Sequence, residues 1–523
     1  MIRSLSLVLL FVFASASSHA IEVQVSNAPE NNLSLTLKSI SEAKRSILLN
    51  IYELSSPEIA NALMSQIKAG IRVVILEEGS PVGGLSTIDK GIASSLSSAM
   101  NGQKQDHFFQ INQGSATRRY HYDHAKYAVI DDEWLLIGSE NYSPTGNPSP
   151  GSLGNRGWEV LIHDAGIAQN YRAVFMTDAS LQFGDVTELS THQASPALES
   201  MSQIETTKSK APLGLTATEI TRITSPDSSL SGLLGLIQNA KNSIDIEQMT
   251  FDSDWNKTKG ASPLTAAVIA AAKRGVSVRV LLNDSRTFDH PGHPALPHNS
   301  DTVALLRNAG IDARIANIQA MGVDYIHNKG MLVDGNLTLV SSINWDQNSI
   351  EKNREAAVVI TSVPVNQYFK ALFDHDWQVS PSASLEKLIF KFEGADFCPH
   401  SIHFRAQIGD LTHLDNQDED FKSLSNKTIE DEFVRDDKIK DCVLVRVADD
   451  LRIENRNLIE FRKRRDGTLS LNFEGYTPKN HKIYSIRETF KTLDPSGSST
   501  AVLYDGSASR EVLAKVNLEV KLN

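Results

Sequence analysis

Apolar and polar positions along this chain form helix-period and strand-like runs that occur twice in the same order. Leu33–Ser46 and Leu230–Ser243 read as amphipathic helices, and both end in Ala-Lys-x-Ser, with Ala43-Lys44 in one copy and Ala240-Lys241 in the other. Each is followed by a strand-like run, Ile47–Tyr52 and Ile244–Met249. A second helical run, Pro57–Ala69 and Pro263–Arg274, ends in each copy at a glycine, Gly70 and Gly275, which suits a helix C-terminus. Strands are expected next at Ile71–Leu76 and Val276–Leu282. Two more per copy follow, Lys126–Ile130 with Leu135–Ile137 and Lys329–Val333 with Leu337–Val340. Strands alternating with helices predict an α/β fold with helices on both faces of a mixed sheet. The repetition predicts two such units about a pseudo-twofold axis.

The first unit is expected over 21–190 and the second over 220–388. Between them, 191–219 is rich in Ser, Thr, Pro and Lys and reads as a linker. From 389 to 523 the composition changes. Ile459–Phe473 looks like a hairpin turning at Asp466-Gly467, and Ala501–Tyr504 and Val512–Leu522 read as strands, so a separate β-rich domain of unread role is expected.

Residues 1–20 have the pattern of a signal peptide: Arg3, an apolar run from Leu5 to Ala14, and Ser18-His19-Ala20 as the cleavage site. The run is too short to span a bilayer as a helix, so a secreted or periplasmic protein is expected, cut near Ala20. In that setting the two cysteines, Cys398 and Cys442, would pair as one disulfide. The net charge of −12 argues against a protein coated for nucleic acid and leaves room for a local basic groove.

The chemistry lies in a short pattern found twice, 203 positions apart (327 − 124). The first copy reads His124-Ala125-Lys126, then Asp131, then Gly138-Ser139-Glu140-Asn141. The second reads His327-Asn328-Lys329, then Asp334, then Ser341-Ser342-Ile343-Asn344. A His and a Lys two apart on a strand point to one face. A neutral imidazole can attack, and an ammonium beside it can hold a phosphate oxygen. Two such half-sites facing each other would supply a nucleophile and a general acid for splitting a phosphodiester. Two matching sets argue against a pair of packed core histidines.

This arrangement resembles the phospholipase D superfamily, also called the HKD family, over both repeats and not over the C-terminal domain. The resemblance implies a hydrolase that forms a phosphohistidine on one His, here His124, while the other, His327, protonates the leaving alcohol. Lys126 and Lys329 would neutralise the non-bridging oxygens, and Ser139, Asn141, Ser342 and Asn344 would add neutral donors to them. No metal or other cofactor is implied. A carboxylate is expected on the second ring nitrogen of each His, with Glu159 for His124 and Glu355 for His327. Asp131 and Asp334 are expected to be structural, tying strand to turn. Both half-sites lie in one chain, so the site needs no dimer.

The leading expectation is an exported phosphodiesterase that hydrolyses or transphosphatidylates phospholipid head groups, with peripheral membrane contact and a role in lipid degradation. One alternative is an exported nuclease with the same paired site. Another is an envelope-binding protein whose repeats are vestigial. Three further stretches carry chemistry-bearing residues. Arg118-Arg119-Tyr120-His121-Tyr122 could bind a phosphate or be a polar loop entering a strand. Asp289 to His298 reads as a Pro-rich loop rather than a metal site, and Arg462-Lys463-Arg464-Arg465 as a solvated strand face.

Overall fold

Ser56-Pro57 and Ser262-Pro263 start the second helix of each repeat in the same way. The serine hydroxyl accepts an N–H from the first turn, from Ile59 and from Thr265, and the proline fills a position that needs no N–H. Both helices end before a left-handed glycine, Gly70 at φ +79° and Gly275 at φ +93°, as the sequence predicts. The computed structural model describes residues 20–190, 211–255, 261–284 and 299–380, together with the strands of the C-terminal region. The chain divides into two units, Met1–Pro381 and Ser382–Asn523. The second begins seven residues before the expected boundary at 389 (389 − 382).

The first repeat runs β1 (Ile21–Ala28), α1 (Asn32–Ser41), β2 (Ser46–Ile51), α2 (Pro57–Lys68), β3 (Arg72–Glu78), α3 (Thr87–Met100), β4 (His107–Ile111), β5 (Tyr127–Ile130), β6 (Trp134–Gly138), β7 (Gly157–His163), α4 (Ala165–Asp178), β8 (Val186–Glu188) and β9 (Leu213–Ala217). The second runs β10 (Glu219–Ser225), α5 (Ser229–Asn239), β11 (Ser243–Gln248), α6 (Pro263–Lys273), β12 (Ser277–Leu282), α7 (Asn299–Asn308), β13 (Asp312–Ile315), α8 (Ile318–Met321), β14 (Lys329–Val333), β15 (Leu337–Ser341), α9 (Gln347–Glu351), β16 (Glu355–Thr361) and α10 (Val363–Val379).

Seven strands take the same order in both sheets. β4-β3-β2-β5-β6-β7-β1 in the first matches β13-β12-β11-β14-β15-β16-β10 in the second. In each, the first three strands are parallel and the remaining pairings antiparallel. β2 is buried at every position, as a strand covered on both faces requires. Its odd residues Ile47, Leu49 and Ile51 pack outward under α1–α3, and Leu48 packs inward. A further cluster lies under α5–α7 of the second repeat. Between the two sheets, Tyr171 and Phe175 of α4 and Phe369 and Phe373 of α10 are buried together with Val129, Trp158, Leu332 and Val358. The expected two-repeat α/β fold is therefore present.

Two expectations change. α1 stops at Ser41 and α5 at Asn239, short of the expected Ser46 and Ser243. The backbone N–H groups of Lys44, Arg45 and Ser46 donate to the Asp131 carboxylate, and those of Lys241, Asn242 and Ser243 to Asp334, so these turns cannot continue a helix. The end of the expected linker is a strand instead: β9 pairs with β1 from Ile21↔Ala217 to Val25↔Leu213. Composition hid it, because Leu213–Ala217 follows the Ser- and Lys-rich stretch without a break.

The C-terminal unit holds β17 (Ser401–Ile408), β18 (Thr428–Arg435), β19 (Leu444–Arg446), β20 (Leu458–Lys463), β21 (Leu469–Tyr476), β22 (Lys482–Phe490), β23 (Ser496–Asp505) and β24 (Val512–Leu522). They form one antiparallel sheet in the order β19-β18-β17-β24-β23-β22-β21-β20. β20 and β21 pair as the predicted hairpin, with Ile459 opposite Phe473. The first 19 residues, Cys398, Cys442, Asp289 to His298, Arg464, Arg465 and Asp466-Gly467 lie outside the described residues.

Candidate active site

The two motif histidines are held by strand-like contacts that cross between the repeats. Asp123 bridges to Arg354, and Ile326 to Arg156. His124 N–H donates to the Arg354 carbonyl at 2.8 Å, and Arg354 N–H to the Tyr122 carbonyl at 2.9 Å. The second half repeats this: His327 N–H donates to the Arg156 carbonyl at 2.9 Å, and Arg156 N–H to the Tyr325 carbonyl at 2.9 Å. Each His segment is thus completed by the Asn-Arg segment of the other repeat.

This crossing corrects the expected carboxylate partners. Glu355 lies on His124, with Oε1 and Oε2 at 3.0 and 2.9 Å from Nδ1. His327 Nδ1 instead meets Glu140 Oε2 at 3.2 Å. Glu159 touches neither ring; it sits two residues past Gly157, the start of β7, accepts from Thr36 at 3.1–3.2 Å, and burial pushes its carboxyl up to about 8. Position along one repeat could not show that the other repeat supplies the pairing strand. Glu140 lies inside the Ser-x-Asn element, and its only sequence signal is an acid where the second copy has Ile343. With Nδ1 turned to a carboxylate in both rings, Nε2 is the nitrogen left for chemistry.

The lysines are buried beside the rings. Lys126 Nζ donates to the His124 carbonyl at 2.6 Å and stands 5.0 Å from the centre of the Tyr52 ring. Lys329 Nζ donates to the His327 carbonyl and approaches Met249 Sδ at 3.5 Å. Tyr52 also packs edge-on against His124, with centroids 4.7 Å apart. Burial lowers Lys126 to about 8 and Lys329 to about 7, the latter helped by Lys126. Burial, then Lys126 and Lys329, hold His124 well below its ordinary value. Burial, then Lys329, bring His327 down to about 4, and Lys126 adds to this. Each lysine's charge bears on both rings, and the crossed carboxylates, Glu355 on His124 and Glu140 on His327, bring the two half-sites together. Burial lifts Glu355 to about 7. Burial would lift Glu140 too, but His327, Lys329 and Asn155 outweigh it and leave its carboxyl below the usual value.

The motif serines do not face the pocket as free donors. Ser139 Oγ donates to Glu140 Oε1 at 3.1 Å, and Ser342 Oγ to Glu355 Oε2 at 2.6 Å. A hydroxyl has one proton, so both serines hold carboxylates rather than phosphate oxygens. Asn141 and Asn344 are half-buried, and Asn141 Nδ2 also donates to Glu53 at 3.2 Å. Asp131 and Asp334 hold the turns before β2 and β11, each in the left-handed region at φ +57° and +52°. Of the Arg118–Tyr122 stretch, Arg119 pairs with Asp185 and Tyr120 donates to Asp178 at 3.0 Å, so these two serve the fold. Tyr122 packs against Tyr52, 6.2 Å between centroids.

Two segments, residues 36–179 and 233–377, match the family described as cardiolipin synthase, PLD-like domain. They amount to 144 and 145 residues, more than half of the 523. The mitochondrial cardiolipin hydrolase of Xenopus tropicalis is 28% identical over 160 residues, which span 31% of this chain and 66% of that protein. The mitochondrial cardiolipin hydrolase of Mus musculus is 30% identical over 152 residues, 29% of this chain and 59% of that protein. The 5'-3' exonuclease PLD3 of Xenopus laevis is 26% identical over 161 residues, 29% and 31% of the respective chains. The match thus spans less than two thirds of each relative. Among solved structures, the phosphatidylserine synthase of Haemophilus influenzae aligns with a TM-score of 0.48 at 13% identity, over 68% of this chain and 88% of that one.

Proposed function

The chain belongs to the phospholipase D superfamily, and on that premise we propose that it is a phosphodiesterase working through the paired histidines. The carrying observation is that each His has Nδ1 fixed by its own buried carboxylate while two buried lysines act on both rings. In the free pocket burial, and after it the ammonium groups, keep both imidazoles neutral. A phosphodiester anion bound between them opposes that bias and lets one ring hold a proton.

In this reading His124 Nε2 attacks phosphorus, the P–N bond forms, and the P–O bond to the alcohol breaks as His327 gives the leaving oxygen its proton. Neutral His327 then takes a proton from water, whose oxygen displaces His124 from phosphorus. Lys126, Lys329, Asn141 and Asn344 hold the non-bridging oxygens as charge builds, and acid–base help of this kind contributes roughly 10²–10⁴-fold. An alcohol in place of water would give transphosphatidylation.

The proposed substrates are phospholipids, supported by the names of the cardiolipin hydrolases and by the signal-like N-terminus, which would place the protein outside the cytoplasm. Cleavage after Ala20 would leave Ile21, the first residue of β1, as the amino terminus. The exonuclease relative favours nucleic acid as the second reading. The deciding experiment offers mixed phospholipid vesicles in dilute ethanol with a chelator present, with His124→Ala alongside. Phosphatidic acid and phosphatidylethanol, both lost in the variant, are expected. Cleavage of single-stranded DNA with no lipid product would move the substrate to nucleic acid. Neither product would reject the enzyme reading.

A further inference from the structure

Glu140 and Glu355 do one task from two different places in the repeat. Aligned by motif, Ser139-Glu140-Asn141 corresponds to Ser342-Ile343-Asn344, and Asn155-Arg156-Gly157 to Asn353-Arg354-Glu355. Pairing agrees: Gly157 opens β7 opposite Ala28, and Glu355 opens β16 opposite Ser225. The place that carries a glutamate in the second repeat therefore carries a glycine in the first. The place that carries Glu140 carries Ile343, which is fully buried in the outer core of the second repeat.

Gly157 is not among the left-handed glycines, so its backbone does not demand glycine. Space does. A Cβ there would lie 2.0 Å from Glu140 Oε1 and 2.6 Å from both Cδ and Cγ. The Glu140 side chain thus fills the volume over Gly157 that a side chain at that position would need. Its carboxylate is held there on three sides, by Ser139 Oγ at 3.1 Å, Asn155 Nδ2 at 2.9 Å and His327 Nδ1 at 3.2 Å. Glu355 is held likewise by Ser342 Oγ at 2.6 Å, Asn353 Nδ2 at 3.1 Å and His124 Nδ1. Asn155 and Asn353 are the same residue of the two repeats, so the two cradles are alike and only the anchor of the carboxylate has moved.

We infer that Glu140 is the positioning residue for His327, that Gly157 is kept bare to admit it, and that the carboxylate can be moved from position 140 to position 157 with function retained. The catalytic consequence rests on the paired-histidine reading; the contact to His327 does not.

The test compares Glu140→Gln, Glu140→Ala, Glu355→Gln and the double variant Glu140→Ala/Gly157→Glu. Rates on bis(p-nitrophenyl) phosphate are measured across pH, and the imidazole Nδ1–H resonances are followed by NMR. Glu140→Gln is expected to lose about 100-fold or more in kcat and to change its pH profile. The double variant is expected to recover at least about tenfold over Glu140→Ala, because removal of the Glu140 side chain frees the volume over position 157. By NMR, Glu140→Gln should lose the hydrogen-bonded Nδ1–H of His327 and keep that of His124, with Glu355→Gln doing the reverse. A wild-type rate and profile in Glu140→Gln overturns the inference. So does a double variant that folds, keeps the wild-type melting temperature within a few degrees, and is no faster than Glu140→Ala. If the wild type cleaves no diester, the proposed function fails, and the His327 resonance alone decides whether Glu140 holds the ring.

Discussion

Arg156 of the first repeat grips Asp376 of the second with two hydrogen bonds, Nε to Oδ2 at 2.7 Å and Nη2 to Oδ1 at 3.2 Å. Both side chains are buried, and Asp376 lies near the end of α10. The counterpart, Arg354, reaches Asp178 at the end of α4, 2.9 Å from Nε to Oδ2. The carbonyls of these same arginines accept the backbone N–H groups of His327 and His124. Interface and pocket therefore share two residues.

Arg156→Met should cost about 3–5 kcal/mol in urea unfolding, because it strands the buried Asp376 carboxylate. Arg156→Met/Asp376→Leu should recover most of that loss, since no buried charge is stranded and Glu30, the other partner of Arg156, reaches solvent. Equal stability of the two variants would show that the stranded Asp376 carboxylate is not the source of the loss.

Ser342 Oγ donates to Glu355, so substitutions of the two should not add. Glu355→Gln is expected to lower kcat by about 10²–10³-fold, and Ser342→Ala by less. Ser342→Ala/Glu355→Gln should be no slower than Glu355→Gln alone. Multiplicative losses in the double variant would return Ser342 to the phosphate.

Much of the site was legible along the chain because both half-sites repeat as His-x-Lys at fixed spacing from Asp and Asn. What the chain could not show was which repeat completes which. Glu355 reads as a partner for His327 of its own repeat, yet Arg354 pairs with Asp123 and carries Glu355 to His124. Glu140 stayed hidden because its counterpart is an apolar core residue, so symmetry pointed away from it. Asp131 and Asp334 were legible as ties, but not that they end α1 and α5 early. The strand 213–217 alternates Leu213, Leu215 and Ala217 with Gly214 and Thr216, but five residues directly after a Ser- and Lys-rich stretch did not stand out, and it pairs on the edge that β1 offers.

The rate on a small soluble diester should fall on the alkaline side of neutrality. Burial lowers Lys329 to about 7 and Lys126 to about 8, so the free pocket loses its ammonium charge as pH rises through that range. The profile of kcat/KM reports the free enzyme, and its descending limb is expected between about pH 7 and 8. A flat profile to pH 9 would mean that the lysines stay charged in the free pocket.

Asp131→Ala removes one acceptor from three backbone N–H groups and should cost at least about 2 kcal/mol in urea unfolding, with kcat near wild type. Asp334→Ala should act in the same direction. Burial would raise the Asp334 carboxyl, but three N–H donors outweigh it and hold it below the ordinary 3.8. Its stabilisation is therefore present above that value and is lost as pH falls through the lowered one. Asp334→Ala should accordingly lose less stability than wild type on acidification below pH 4, as urea midpoints at two pH values would show.

The exchange of backbone hydrogen bonds between His124 and Arg354, and between His327 and Arg156, makes docking of the repeats the last step in building the pocket. A nascent chain with one repeat folded has neither ring seated, and His124 also lacks its carboxylate. On the proposed reading, a diester-cleaving site comes into being only once both repeats have folded and met, so its assembly is itself the switch.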